Sequence, residues 1–258
     1  MEKVKAKKHL GQHFLKNDNV ALDIVNGLTE KKLVEKVIEI GPGMGVLSKF
    51  LLQDKSIDPW FCEIDMESVD YLLKTYPEIH KKIIAADFLR QDLSKLFGEQ
   101  FGIIGNFPYN ISTEIIFKVL EYKAQVPIVV GMFQKEVAER FASKHGSKVY
   151  GVTSVLTQAF YDIEYLFTVE ADQFIPPPKV KSGVIRLIRK ESQTLDCNEK
   201  DFIRVVKLGF NQRRKTLRNA LSSIISQKEG LKSDPIFDKR AEQLSVQDFI
   251  NLTQKIYE

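Results

Sequence analysis

Predicted strands and helices alternate from about residue 20 to residue 170 of this 258-residue chain. Five apolar runs have the length of buried strands, and a segment with helical character follows most of them. Strands that alternate with helices argue for a parallel sheet covered on both faces, so the chain is predicted to be an α/β protein. The predicted strands lie at residues 37–40, 59–65, 82–87, 101–105 and 127–133.

The alternation of predicted strands and helices ends in the last third of the chain. Residues 184–188 alternate like one late strand, and residues 191–198 are polar and resemble a linker. Only helical periodicity follows them. We therefore predict a large α/β domain over residues 1–190 and a small all-helical domain over residues 191–258.

The composition is that of a soluble globular protein, with 43% hydrophobic and 28% charged residues. No apolar run approaches the roughly 20 residues of a membrane span, and the N-terminus lacks the apolar core of a secretion signal. Cys62 and Cys197 are isolated, which favours a reducing compartment over a disulfide framework. These features predict a cytoplasmic protein with no membrane partner.

The net charge of +4 is modest, but the cations are clustered. Residues 1–16 hold five lysines and one glutamate, and residues 204–218 hold six cations and no acid. Such clusters are typical of proteins that bind a polyanion. A solvated helix face is the alternative explanation.

Three glycines join the first predicted strand to the next helix, in the pattern Gly41-Pro-Gly-Met-Gly45. Glycines let the backbone turn tightly and approach a ligand. A dinucleotide-binding turn has the spacing Gly-x-Gly-x-x-Gly, so the early third glycine disfavours a nicotinamide-dependent dehydrogenase. The spacing is the one associated with S-adenosylmethionine, and a purely structural strand–helix turn is the alternative.

Polar side chains stand at the ends of the next three predicted strands. Glu63 lies 22 residues after Gly41, a separation at which an acid can accept hydrogen bonds from ribose hydroxyls. Asp87 is placed to accept from an adenine amine, and Asn106 ends the fourth strand. Each of them alone is explained equally well as a cap or turn residue. Together, in sheet order, they predict one ligand-binding crevice.

The tetrapeptide Asn106-Phe-Pro-Tyr109 follows the fourth predicted strand. The Asn106 side-chain oxygen and the Pro108 carbonyl can both accept a hydrogen bond from an exocyclic base amine. Two acceptors would direct the amine lone pair and stabilise developing positive charge on the nitrogen. The tetrapeptide therefore predicts an enzyme that acts on a nucleobase amine.

Long motifs along nearly the whole chain resemble those of the small-subunit ribosomal RNA adenine dimethyltransferases. Besides the glycine loop and the strand ends, the similar segments are Lys8-His-Leu-Gly-Gln-His-Phe-Leu15, Asn106-Phe-Pro-Tyr-Asn-Ile-Ser-Thr113, Phe174-Ile-Pro-Pro-Pro-Lys-Val-Lys-Ser182 and Phe210-Asn-Gln-Arg-Arg-Lys-Thr-Leu-Arg-Asn219. The resemblance implies a Rossmann-like methyltransferase domain, followed by a helical RNA-binding domain. It implies S-adenosylmethionine as methyl donor and a monomer that acts on 16S ribosomal RNA in the assembling small subunit.

The resemblance also implies roles for particular residues. Tyr109 would stack on one face of the target adenine and Phe174 on the other, while Asn106 and Pro108 hold its amine. The implied cofactor-binding residues are His13, Leu15, Gly41, Glu63, Asp87 and Asn106. The implied RNA-binding residues are Lys7, Lys8, Arg213, Arg214, Lys215 and Arg218.

Two positions depart from the family pattern, because His13 replaces the usual Asn and Phe107 the commoner Leu. Two other functions remain as alternatives: a large-subunit (23S) ribosomal RNA adenine methyltransferase of the macrolide-resistance type, and a mainly non-catalytic RNA-binding assembly factor. No metal site is expected. His9 and His13 are four residues apart but lack the further ligands that zinc needs.

Overall fold

The computed structural model describes residues 4–231 and 233–257, which form two compact units. The first unit contains the chain through Ala138 together with Asp162–Arg189. The second contains Glu139–Tyr161 and the chain from Lys190 onward. Within the described residues, no helix is both long enough and apolar enough to cross a membrane.

A seven-stranded sheet in the order β4-β3-β2-β5-β6-β9-β7 forms the centre of the first unit. The strands from β4 to β6 are parallel, and β9 runs antiparallel to β6. The predicted α/β fold with a mostly parallel sheet is confirmed. The seven strands are β2 Lys36–Ile40, β3 Asp58–Glu63, β4 Ile83–Ala85, β5 Gly102–Asn106, β6 Ile128–Gln134, β7 Tyr161–Val169 and β9 Ser182–Arg189.

Helices connect the strands and pack against the sheet, with α1 against β5, β6 and β9 and with α2 and α3 against β3. Side chains fix where two of them begin: Asn17 caps α1 and Asp65 caps α3 through backbone N–H groups. These helices are α1 Asp18–Thr29, α2 Ser48–Gln53, α3 Met66–Thr75, α4 Leu93–Leu96, α5 Ser112–Glu121 and α6 Lys135–Ala142. Short 3-10 helices occupy Lys8–Leu10, Pro77–Lys81, Phe88–Arg90 and Ala171–Gln173.

A separate two-stranded ladder pairs the N-terminal segment with the segment before β9. Strands β1 (Phe14–Leu15) and β8 (Phe174–Ile175) run antiparallel, with Leu15 opposite Phe174. Both of these side chains are buried in the hydrophobic core of the unit. The ladder therefore anchors the N-terminal segment to the segment that precedes β9. The sequence did not predict this contact.

Helices make up most of the second unit. Helix α8 begins at the cap Asn198 and buries one face, formed by Phe202, Val205, Val206 and Gly209. The Phe210 ring stacks on Phe249 of α11, with 5.8 Å between ring centroids. The helices are α7 Val152–Gln158, α8 Glu199–Asn211, α9 Leu217–Ala220, α10 Ser222–Ile225 and α11 Val246–Tyr257, with 3-10 turns at Glu229–Leu231, Pro235–Asp238 and Ala241–Gln243.

The observed division differs from the predicted boundary near residue 190 in one segment. Residues 139–161 belong to the same compact unit as the C-terminal helices. The reason is packing: α7 contacts α8, and the Tyr150 ring lies 6.1 Å from that of Phe210. The strand–helix alternation continues through this segment, so the sequence pattern gave no sign of the change.

Candidate active site

A cavity of about 160 Å³ opens at the carboxyl ends of the parallel strands in the first unit. Ligands of open α/β sheets bind at this edge. The cavity is also lined by the N-terminal segment from Leu10 to Phe14. Of the residues predicted to bind the cofactor or to act in catalysis, the cavity is lined by His13, Gly41, Glu63, Asp87, Asn106, Pro108 and Tyr109.

The glycine loop after β2 forms one wall of the cavity. Gly41, Gly43 and Gly45 all have positive φ angles, of 66°, 55° and 79°. A Cβ atom added to Gly43 would lie 2.8 Å from the Phe14 ring, so a larger residue would push the N-terminal segment away. The loop thus needs glycine both for its conformation and for close contact with that segment.

Glu63 ends β3 and is only 4% exposed. Its carboxylate is fixed on both oxygens, which accept from the backbone N–H groups of Gly43 (3.0 Å) and Asp65 (2.9 Å). Burial nevertheless raises the pKa of Glu63, against the effect of these backbone hydrogen bonds. Each oxygen keeps a lone pair, so Glu63 can accept two hydroxyl donors from a ligand in the cavity.

The turn after β4 places Asp87 on the cavity wall beside Ala86, Phe88 and Leu89. One carboxylate oxygen of Asp87 accepts from the Leu89 backbone N–H at 2.9 Å and caps the 3-10 helix that follows. The other lies 3.4 Å from Arg90 Nε. The carboxylate is about one-third exposed and retains acceptor capacity for an amine.

The Asn106 amide is oriented by the N-terminal segment. Its Nδ2 donates to the His13 carbonyl oxygen at 2.8 Å. Because a carbonyl only accepts, this contact leaves Oδ1 as the available acceptor of the side chain. The neighbouring Pro108 carbonyl accepts from the Ile111 N–H at 3.1 Å and keeps a second lone pair. The structure therefore brings the two predicted amine acceptors to one cavity.

Two neighbours fix the Tyr109 ring. The Tyr109 hydroxyl is 2.5 Å from the hydroxyl of Ser182, which is fully buried at the start of β9. The His13 ring stacks on Tyr109 with centroids 5.5 Å apart, and His13 Nδ1 donates to the Pro176 carbonyl at 2.8 Å. Burial raises the pKa of Tyr109. Ser182 was missed as a site residue, although it ends a motif that the sequence analysis singled out.

Phe174, predicted to stack on the target adenine, lies in the hydrophobic core. Its side chain is 1% exposed in β8, belongs to the hydrophobic core and does not line the cavity. The ring that faces Tyr109 is His13. Leu15, predicted to bind the cofactor, is also buried and borders only a smaller neighbouring cavity. Both residues lie in the β1–β8 ladder, whose first strand continues from the cavity-lining N-terminal segment.

The N-terminal lysines differ in their surroundings. Lys7 forms ion pairs with Asp65 and, at 3.3 Å, with Glu67. Gln12 also donates to Asp65, at 3.1 Å. Burial opposes ionisation of Asp65, yet the hydrogen bonds from Lys7 and Gln12 hold its pKa below the usual range. Both lysines are predicted to bind RNA: Lys7 joins the N-terminal segment to Asp65 and Glu67 through its ion pairs, whereas Lys8 is exposed.

The basic turn after α8 contains two kinds of cation. Arg213 contacts Glu242 at 3.1 Å and the Tyr150 carbonyl at 3.0 Å, and Arg218 pairs with Asp238 at 2.6 Å. These two arginines, predicted to bind RNA, are held by groups of their own unit. Arg214 and Lys215 are exposed, and no ion pair to either is found within the described residues.

Metal-ligand side chains do not gather in the described part of the chain. Over residues 4–231 and 233–257, no group of three His, Cys, Asp or Glu side chains is close enough to hold a metal ion. The Cys62 thiol lines the cavity, and burial raises its pKa to about 12. Its proton is therefore retained at neutral pH, and the thiol is a weak nucleophile there.

Known proteins similar to this chain match it over nearly its full length. The model of the ribosomal RNA adenine dimethylase family matches residues 3–258. Ribosomal RNA small subunit methyltransferase A of Cytophaga hutchinsonii is 62% identical over 256 residues, which cover 99% of each chain. A dimethyladenosine transferase from Plasmodium falciparum has a similar structure, with a TM-score of 0.79, 25% identity and coverage of 94% of this chain and 97% of that one.

A more distant neighbour shares the fold alone. The 23S rRNA methyltransferase ErmE superposes with a TM-score of 0.65 at 22% identity, and the match covers 95% of this chain and all of that one. The macrolide-resistance alternative therefore gains no support beyond a common architecture. From the family match over residues 3–258 and the 62% identical relative, the chain belongs to the ribosomal RNA adenine dimethylase family.

Proposed function

We propose that this protein transfers methyl groups from S-adenosylmethionine to N6 of two adjacent adenines near the 3′ end of 16S ribosomal RNA, giving N6,N6-dimethyladenosine. The observation that carries the proposal is the single cavity shared by the glycine loop, Glu63, Asp87 and the Asn106–Tyr109 tetrapeptide. The chain contains two cysteines, Cys62 and Cys197, and this low content supports a cytoplasmic location.

The hydrogen-bond acceptors in the cavity fit S-adenosylmethionine, which supplies an electrophilic methyl group when bound. Glu63, fixed by two backbone N–H groups, would accept from the ribose hydroxyls. Asp87 would accept from the adenine amine of the cofactor. The positive-φ glycines let the β2–α2 loop approach it closely.

The target adenine would be held by the tetrapeptide. Its amine donates to Asn106 Oδ1 and to the Pro108 carbonyl, which directs the nitrogen lone pair and stabilises positive charge on N6. Tyr109, fixed by Ser182, offers an aromatic face for the base. A base reaches such a face only after it leaves its stack, which costs least in a loop or at a helix end.

A basic surface on the second unit supports ribosomal RNA as the substrate. Lys200, Arg204 and Lys207 follow one another at i, i+4 and i+7, so they share the face of α8 opposite its buried face. All three are exposed, as are Arg214 and Lys215 on the turn that follows. We infer that these five cations contact RNA phosphates within the assembling small subunit.

Methyl transfer tests the proposed substrate directly. Purified protein should transfer labelled methyl groups to small subunits that lack the modification, and nucleoside analysis should find N6,N6-dimethyladenosine in 16S ribosomal RNA. Transfer only to large-subunit RNA would replace the proposal with the 23S alternative. Small subunits that are already methylated serve as the control.

A substitution of Asn106 separates catalysis from a purely assembling role. Asn106→Ala should lower turnover by at least about 100-fold, the size of losing one group that stabilises developing charge. Binding to small subunits should persist, as measured by sedimentation. Wild-type turnover in this variant would remove Asn106 from the mechanism.

A further inference from the structure

Lys118 is a buried cation on a helix of the first unit. It lies on α5, is 8% exposed, and makes no ion pair with an acid in the described part of the chain. Burying an ammonium group is costly unless hydrogen bonds or other charges compensate. A lysine at this position therefore needs a reason beyond packing, since a methionine would fill the same space.

The contacts of Lys118 lie behind the turn that bears Asp87. Its Nζ donates to the Leu89 carbonyl at 2.8 Å. The ammonium also lies 5.9 Å from the centre of the Phe88 ring and 5.5 Å from that of Tyr122, where the ring faces attract a cation. Two of its three contacts are thus with residues of the Phe88–Arg90 turn.

Leu89 connects this lysine to the carboxylate of Asp87. The Leu89 carbonyl accepts from Lys118, and the Leu89 N–H donates to Asp87 Oδ1 at 2.9 Å. The Leu89 carbonyl is therefore held by a side chain of α5, and the Leu89 N–H is held by a carboxylate of the cavity wall. Movement of the Lys118 side chain would release the turn and with it the direction of the Asp87 carboxylate.

We propose that Lys118 is a positioning residue that fixes the Asp87 carboxylate for recognition of the cofactor's exocyclic amine. The inference rests on the proposed function, because it takes the adenine of S-adenosylmethionine as the partner of Asp87. Lys118 does not line the cavity, so it would act through the turn and not by touching the cofactor or the reacting atoms. Helix α5 starts at Ser112, three residues after Tyr109, so one helix supports both the amine-binding tetrapeptide and the cofactor turn.

Discrimination between adenine and hypoxanthine measures this role. S-Inosylhomocysteine carries a carbonyl oxygen in place of the amine, so a correctly held Asp87 should reject it. Affinities for S-adenosylhomocysteine and S-inosylhomocysteine are measured by calorimetry with the full-length wild type, Lys118→Met and Lys118→Arg. Lys31→Met, which removes an exposed lysine, is the matched control.

The wild type should prefer the adenosyl ligand. Lys118→Met should weaken adenosyl binding by about tenfold, the effect of one lost charge-assisted hydrogen bond, and should change inosyl binding much less. Lys118→Arg should retain most of the preference. The KM for S-adenosylmethionine should rise with kcat nearly unchanged.

Three results would count against the proposal or its basis. Equal weakening of both ligands in Lys118→Met would show a general structural role, and unchanged affinities would remove Lys118 from cofactor recognition. Thermal unfolding of each variant shows whether the fold is intact, and Lys118→Arg provides the readout if Lys118→Met does not fold. A wild type that binds neither ligand would contradict the proposed function itself.

Discussion

The polar side chains of the candidate active site are each held by a second group before any ligand arrives. The Asn106 amide is fixed by the His13 carbonyl, Glu63 by two backbone N–H groups, and Tyr109 by Ser182. A site whose groups already point correctly loses little free energy to reorganisation when charge develops. The supporting partners are therefore as informative for mutagenesis as the groups they hold.

The hydrogen bond between Tyr109 and Ser182 can be tested by removing it from either side. Ser182→Ala leaves the half-buried Tyr109 hydroxyl without this hydrogen bond, so kcat/KM for the RNA substrate should fall by about three- to tenfold. Tyr109→Phe removes the same hydrogen bond. The double variant should therefore lose no more kcat/KM than either single variant does. Cofactor affinity should stay at the wild-type value. Fully additive losses in the double variant would show that the two hydroxyls act independently.

Glu39 makes stability depend on pH. Burial raises the pKa of Glu39 from the ordinary 4.5 to about 8. The hydrogen bond that Ser48 donates to it at 2.6 Å opposes this rise, and the nearby Glu63 charge adds to it. The unfolded chain therefore loses this proton at lower pH than the folded one, so stability falls as pH rises from about 4.5 to about 8 and is level above that. The slope due to Glu39 is at most about 1.4 kcal/mol per pH unit.

Urea unfolding at pH 5, 6, 7 and 8 checks this dependence. Glu39→Gln keeps the shape and the acceptor for Ser48 but cannot ionise. The difference in unfolding free energy between Glu39→Gln and the wild type should grow in favour of the variant across this range. A difference that does not change with pH would show that Glu39 does not titrate in this window.

Among the strands and helices, the long apolar strands were predictable and the short elements were not. Residues 37–40 and 127–133 were predicted as strands, and the structure has Lys36–Ile40 and Ile128–Gln134. Strands buried on both faces carry continuous apolar runs, which a single sequence reveals. Strands β1 and β8 have two residues each and no periodicity, so only their pairing in space defines them.

The turn between α8 and α9 contains two exposed cations, Arg214 and Lys215, beside Arg213, which is held by its own unit. Arg214→Glu combined with Lys215→Glu should weaken binding to small-subunit RNA and reduce the salt dependence of binding by about two phosphate contacts, with stability unchanged. Arg213→Glu should instead lower the unfolding temperature, because it places a carboxylate against Glu242 and the Tyr150 carbonyl. Filter binding at several salt concentrations and thermal unfolding separate the two effects. If Arg213→Glu weakened RNA binding as much as the double variant does and left the unfolding temperature unchanged, Arg213 would belong to the RNA-binding surface.

Across the whole chain, the sequence predicted where the site lies. It did not predict which residues hold the site residues in place. Glu63, Asp87 and Asn106 could be placed together because carboxyl ends of parallel strands meet at one edge of a sheet. The roles of Ser182 and Lys118 could not be read in the same way, since their contacts join residues far apart in sequence. The burial of Phe174 could not be read from the sequence either, because it depends on pairing with the N-terminal segment.

The ladder between β1 and β8 joins residues about 160 positions apart. Closing so long a loop costs more chain entropy than pairing neighbouring strands, and contacts of high sequence separation form late in folding. The cavity-lining residues from Leu10 to Phe14 are anchored by this closure. The parallel strands β2 to β6 can thus pair before a complete cavity exists. A nascent chain gains its ligand-binding wall only after residue 175 has emerged from the ribosome and paired.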